Sequence, residues 1–193
     1  MSFPARRLQA KAGAIVGQVL ENTSAGIERN LFWSISVPFE PIDYEGEEVR
    51  PLLQCEWLVW PLAHWRDLDG KTLAEVKDAG RVEASFFALD HADLELEMLE
   101  LAARKRGGFE VQLCGRVDFV AGDGSVKPFP IEVEAPLALE GIRIVPGSLR
   151  RGPKTAQAAA ELLGQFLDAK GFLEPEWDGA CFLFRPDEGV AKA

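Results

Sequence analysis

Apolar and polar residues alternate along much of this chain, which is the pattern of a β-strand with one buried face. The alternation is cleanest over residues 109–120 and again over residues 128–139. Between them, residues 121–125 have the composition of a tight turn rich in Gly and Asp. We therefore expect the two segments to pair as antiparallel neighbours within a meander that covers about 82–145.

Residues 93–103 fit two structures. The first half alternates as in a strand, whereas the second half consists of good helix formers. The Gly107-Gly108 pair decides between them, because two alternating runs on either side of a glycine turn form a hairpin. We predict a strand over 93–103, with a β-bulge at Met98 and Leu99, where the alternation shifts by one residue.

The best helix candidate lies near the C-terminus, over about 155–170. Thr155 can cap its first turn, and a glycine follows its last turn. Leu162, Leu163 and Phe166 fall on one apolar stripe, so we expect this helix to cover the sheet.

The predicted fold class is α+β, with a single domain over 1–193. Its core is a mainly antiparallel, curved sheet that includes the 82–145 meander and is covered by the C-terminal helix. A final short strand is expected at about 180–184, and the tail 187–193 is expected to fray. Further strands are predicted over residues 14–20, 31–37, 52–62 and 82–89.

The charge balance bears on the kind of partner. The chain has 21 Lys and Arg against 31 Asp and Glu, which gives a net charge of −10. Two short basic stretches, 104–106 and 150–154, lie beside glycine turns and are typical of solvated turns. Nucleic-acid binders need a basic stripe, so we expect no nucleic-acid binding. The electrostatic field of an acidic surface instead accelerates the encounter with a basic partner.

The three cysteines, Cys55, Cys114 and Cys181, form no CxxC pair, and an odd number of thiols indicates a reducing compartment. No apolar run approaches the ~20 residues that span a bilayer, and the N-terminal apolar stretch is a poor signal peptide. We therefore expect a soluble, cytoplasmic protein without a membrane span.

Catalytic hypotheses are limited by histidine, since His64 and His91 are the two in the chain. His91 lies between Asp90 and Asp93, and such an imidazole could bind a divalent metal or act as an acid; the alternative is a strand-end turn. His64 and Asp67 could meet across one helical turn, or could belong to a structural polar cluster. We expect no cofactor and no metal site, because His91 and Asp93 supply two ligands and the third would have to come from another strand; completion by carboxylates alone would suit a hard ion such as magnesium, which rarely needs a histidine.

Tryptophans supply the binding candidates: Trp57, Trp60 and Trp65. On a strand, Trp57 and Trp60 would face opposite sides of the sheet, one toward the core and the other toward a pocket or a partner. Core packing is the alternative explanation.

Three functions follow from these observations. The leading hypothesis is a non-catalytic binding or interaction protein, for example an acidic partner of a basic protein. The second is a carrier of a small apolar ligand in a cavity between sheet and helix. The third is a hydrolase or metal enzyme that uses His91 or His64 with a nearby Asp.

Overall fold

The computed structural model describes residues 3–105, 107–120 and 124–187. Within these ranges the chain is one large sheet, a small separate hairpin and one short α-helix, which confirms the predicted α+β class. The strands, in chain order, are β1 (Gly13–Asn22), β2 (Ile27–Pro38), β3 (Ile42–Tyr44), β4 (Glu47–Val49), β5 (Leu52–Leu58), β6 (Glu83–Phe87), β7 (His91–Ala103), β8 (Phe109–Val117), β9 (Phe129–Ile144), β10 (Glu176–Trp177) and β11 (Phe182–Phe184).

The large sheet closes on itself. Strands β1, β2, β5, β6, β7, β8 and β9 follow one another as antiparallel neighbours, and β9 then pairs with β1 in parallel. In this parallel pairing, Gly13 lies opposite Leu137 and Val19 lies opposite Ile144. The end of β9 also pairs with β11, which pairs with β10, while β3 and β4 form the separate hairpin.

Large apolar side chains fill the interior of the closed sheet. Every second residue of a strand points inward, so the alternation seen in the sequence becomes one continuous core. Trp33, Phe86, Phe109 and Leu113 are among its fully buried side chains.

The predicted hairpin of residues 109–120 and 128–139 is confirmed. Strands β8 and β9 pair from Phe109 opposite Leu137 to Val117 opposite Phe129. Residues 121–123 of the expected turn lie outside the described residues.

The strand interpretation of residues 93–103 is also confirmed, because β7 spans them and pairs with β8. The register shifts between Leu96 and Met98, one residue earlier than the bulge predicted at Met98 and Leu99. Gly107 and Gly108, which follow the strand, both have positive φ, as the turn chemistry requires.

The helix is shorter than predicted. Helix α1 spans Ala156–Leu163, and the Thr155 hydroxyl accepts a hydrogen bond from the Ala158 N–H at 3.2 Å. Past the helix, the Asp168 N–H donates to the Ala63 carbonyl at 2.8 Å, so a tertiary contact replaces the helical bond. Leu162 and Leu163 belong to the same buried cluster as the strands, as expected. Phe166, which lies beyond α1, is only partly buried.

No helix among the described residues is long and apolar enough to cross a lipid bilayer. Arg106 of the first basic stretch and residues 188–193 of the expected frayed tail lie outside the described residues.

Candidate binding groove

The side chain of Trp57 points out of the interior because β5 has a bulge near its end. Cys55 and Leu58 are both fully buried, so the inward alternation of β5 skips a residue between them. The register agrees, because Ile35 of β2 pairs with Cys55 whereas Trp33 pairs with Leu58. Strict alternation would bury Trp57 beside Cys55. A left-handed backbone, with φ of 63° at Trp57, turns the indole outward instead.

The indole of Trp57 packs against Phe32 on the outside of the sheet. The two rings meet edge to face, with centroids 5.3 Å apart and an interplanar angle of 79°. Such a pair contributes about 0.5–1.5 kcal/mol beyond the area that it buries. Phe32 is thereby largely covered, while Trp57 stays partly exposed. The outer surface therefore has an aromatic wall at this point.

Two adjoining depressions, of about 340 Å³ and about 250 Å³, share Phe32, Trp57 and Arg81. Together they are termed the Trp57 groove. Its lining combines part of β2 with the segment that leads into β6. Further residues that line it are Ile27, Glu28, Asn30, Lys77, Asp78 and Glu83.

Strained backbone is concentrated around this groove. Among the described residues, the non-glycine positions with positive φ are Glu45, Trp57 and Asp78, and the last two line the groove. A left-handed conformation costs a residue with a side chain roughly 1–2 kcal/mol. Strain of this kind persists where the surrounding structure enforces it, and it is frequent at binding sites.

Charged side chains surround the aromatic wall. Glu28, Asp78 and Glu83 face two cations, Lys77 and Arg81. None of these side chains forms an ion pair with another described residue. A further carboxylate borders the groove, because Glu56 of β5 lies directly opposite Glu83 of β6. Carboxylates thus outnumber cations, and Glu56 and Glu83 are direct cross-strand neighbours, a pairing that is unfavourable for like charges.

The strain at Trp57 can be measured directly. We expect the Trp57→Gly variant to be more stable than Trp57→Ala by about 1 kcal/mol, because glycine adopts the left-handed backbone without steric cost. Gln112, exposed on β8, is the matched control; there glycine should be less stable than alanine by roughly 0.5–1 kcal/mol. Urea denaturation of the four variants gives both differences. The same order at both positions would contradict strain at Trp57.

A wider depression of about 710 Å³ lies where residues 3–8 cross the start of β9. Phe3 inserts there into the aromatic cluster and stacks on Phe129, with centroids 5.2 Å apart and an interplanar angle of 11°. Packing of the N-terminal segment against the sheet accounts for its shape.

The structure places His64 in a capping arrangement. Its Nδ1 accepts a hydrogen bond from the Arg66 N–H at 3.0 Å at the start of a short 3₁₀ turn, Trp65–Leu68. The Asp67 carboxylate accepts from the backbone N–H groups of Ala63 and His64, at 3.0 and 2.8 Å. Asp67 therefore meets the backbone of His64 and not its ring. This geometry favours the structural cluster over the catalytic hypothesis.

His91 lies exposed at the start of β7 and bonds locally. Its Nε2 is 2.9 Å from the Ser85 hydroxyl, and its backbone N–H donates to the Asp90 carboxylate at 2.8 Å. Its ring meets Phe87 edge to face. Asp93 lies opposite Ser85 in the register and completes a small polar group on the outer face. Sequence reasoning missed Ser85, because spacing along the chain does not mark a cross-strand neighbour.

Trp60 and Trp65 differ from Trp57 in their surroundings. Trp60 lies beyond the end of β5, is buried, and donates from its Nε1 to the Thr72 carbonyl at 3.0 Å. Trp65 donates from its Nε1 to the Gly171 carbonyl at 3.0 Å. Both indole N–H groups thus have hydrogen-bond partners within the fold, whereas Trp57 lines the groove.

Neither Cys55 nor Cys181 offers a reactive thiolate. Complete burial raises the pKa of Cys55, which points into the core, to about 12. Burial, together with the hydrogen bond that its Sγ donates to the Asp178 carboxylate at 3.2 Å, raises the pKa of Cys181 as well. A raised pKa keeps a thiol protonated and weakly nucleophilic.

The outer face of β7, β8 and β9 carries much of the acidic charge. Glu100 of β7 and Glu134 of β9 flank Gln112 of β8, and all three are exposed. Arg116 on this face bonds to Glu95 at 2.8 Å. This face adds to the negative potential around the molecule.

Within the described ranges, no group of three or more His, Cys, Asp and Glu side chains is arranged to hold a metal ion. Comparisons with models of protein families, with curated proteins and with solved structures gave no match.

Proposed function

We propose that this chain is a non-catalytic binding protein and that it binds a partner protein at the Trp57 groove. The observation that carries the proposal is the outward position of Trp57. Burying a large aromatic side chain is a main source of stability. The bulge instead turns Trp57 outward and strains the backbone, and such strain is typical of residues that take part in recognition. Tryptophan is also enriched among the residues that dominate binding energy at interfaces.

The partner that the charges favour is basic. Glu28, Asp78 and Glu83 outnumber the cations of the groove, and the whole chain carries a net charge of −10. A negative field accelerates encounter with a basic protein and repels an acidic one. This agrees with the expectation, made from composition, of an acidic partner for a basic protein.

The two alternative functions have less support. The ring of His64 contacts Trp65 and Arg66, whereas the ring of His91 contacts Ser85 and Phe87, so the two histidines share no site. A carrier would need a cavity between the sheet and the helix. The depression of about 570 Å³ at that place, lined by Thr155, Trp177 and Phe182, is open at the surface, which does not favour a carrier that encloses an apolar ligand.

The proposal is tested by selecting ligands from a displayed library of random short peptides on the immobilised protein. We expect wild-type protein to enrich a defined set of peptides, rich in Lys and Arg. We expect the Trp57→Ala variant to bind them at least roughly tenfold more weakly, because an interface tryptophan commonly contributes 2 kcal/mol or more.

Trp177 is the matched control, because it is exposed to 54% and does not line the groove. The Trp177→Ala variant should bind the selected peptides as the wild type does. Circular dichroism and thermal melts establish that both variants are folded. Peptides that bind all three proteins equally, or a library from which nothing is enriched, would contradict the proposed function.

A further inference from the structure

Strand β2 has an unpaired edge at the Trp57 groove. On one side, β2 pairs with β1 from Ser36 to Ile27. On the other side, it pairs with β5 only from Trp33 to Pro38. Residues 27–32 are therefore paired on one side alone within the described chain. At about 3.3 Å per residue they form an open edge of about 20 Å.

The bulge at Trp57 is what opens this edge. Beyond it the chain turns away from β2, and the Val59 carbonyl accepts a hydrogen bond from the Lys77 N–H at 2.8 Å. On β2 itself, the Leu31 N–H donates to the side-chain oxygen of its neighbour Asn30 at 2.9 Å. In the part of β2 that does not pair with β5, a side chain thus accepts the hydrogen bond of a backbone N–H group.

The open edge and the groove are one surface, because Ile27, Glu28, Asn30 and Phe32 of β2 all line the groove. A strand edge offers regularly spaced backbone donors and acceptors, and an extended peptide can add to it as a further strand. Pockets beside the edge then select alternate side chains of that peptide. The aromatic wall of Trp57 and Phe32 suits an apolar side chain, and the adjacent carboxylates suit a basic one.

We propose that the partner binds by strand addition, placing an extended segment with Lys or Arg and apolar side chains along residues 27–32 of β2. This rests on the proposed function and names the partner's binding element and its charge. Charge complementarity selects this occupant over a second copy of the chain. Glu28 on the edge, with the net charge of −10, repels another acidic molecule and attracts a basic segment.

The test uses synthetic versions of the peptides selected in the display experiment. Each peptide is made unmodified and in two forms, with N-methyl groups on either its odd or its even residues. In a strand added to one edge, alternate N–H groups point toward the receptor. We therefore expect one N-methyl series to bind roughly tenfold or more weakly, and the other to bind like the unmodified peptide.

Charge reversal provides the second measurement. The Glu28→Lys variant should bind the basic peptides several-fold more weakly, because it replaces attraction by repulsion at the edge. Glu132→Lys, at an exposed position of β9 outside the groove, is the matched control and should bind as the wild type does.

The outcomes separate the two proposals. Peptides that depend on Trp57 but tolerate both N-methyl series would overturn strand addition and leave the groove as a binding site. Enriched peptides without Lys or Arg would overturn the basic partner. A wild-type dimer in analytical ultracentrifugation that Trp57→Ala converts to a monomer would assign the edge to a second copy. Absence of any peptide that depends on Trp57 would overturn both proposals.

Discussion

Replacing Gly141 with alanine should lower the free energy of unfolding by roughly 2–5 kcal/mol. Gly141 has φ of 117°, a conformation that residues with a side chain rarely adopt. A Cβ at this position would collide with the carbonyl oxygen of Phe184 on β11. The residue also lies where the parallel register of β1 and β9 shifts, since Ile15 pairs with Leu139 and Val16 with Gly141. The substitution therefore disturbs the pairing of β9 with β1 and with β11 at once.

Gly147 is the matched control, because nothing lies within 4 Å of a Cβ built there. Urea denaturation of Gly141→Ala and Gly147→Ala beside the wild type measures the two effects. We expect Gly147→Ala to stay within about 0.5 kcal/mol of the wild type, as most surface substitutions do. Equal stability of the two variants would contradict the close approach of β9 and β11.

The Phe86→Ala variant should lose about 3–5 kcal/mol, because it removes a completely buried aromatic ring and leaves a cavity. The Phe86 ring contacts those of Phe3, Phe39 and Phe129, at centroid distances of 5.6, 6.0 and 5.8 Å. These contacts join the N-terminal segment to the interior of the closed sheet.

Phe87 offers a control of the same residue type, because it is the next residue of β6 and faces the outside beside His91. Thermal and chemical denaturation should show a clearly smaller loss for Phe87→Ala than for Phe86→Ala. If Phe87→Ala were the more damaging substitution, the assignment of inner and outer faces on β6 would be reversed.

Local alternation was sufficient to predict the strands whose partners are close in the sequence. The β8–β9 hairpin and the strand at 93–103 follow from a period of two and from glycine turns, which are properties of a few adjacent residues. The parallel pairing of β1 with β9 has no corresponding signal in the local sequence. Register between distant strands depends on the whole closed sheet, so alternation in residues 14–20 predicted a strand but not its neighbour.

The groove was predictable only in part. Trp57 was one of the three tryptophan candidates, but alternation alone could not tell which side of the sheet it faces, because one residue inserted at a bulge reverses every later position of the strand. Nothing in the sequence marked Lys77 and Arg81 as groove residues, because they lie in the irregular segment between β5 and β6, which follows no periodic pattern. Trp60 and Trp65 looked equivalent to Trp57 in sequence, and only their hydrogen bonds to Thr72 and Gly171 distinguish them.

The closure of the sheet has a consequence for the synthesis of the chain. The first strand, β1, acquires its second neighbour only when β9 has left the ribosome, because residues 13–19 pair with residues 137–144. Until then, one edge of the apolar strand β1 has no partner strand in the nascent chain. Contacts between such distant segments make folding slow and expose intermediates to aggregation. Chaperone dependence during expression, and a refolding yield that falls as protein concentration rises, are therefore expected of this topology.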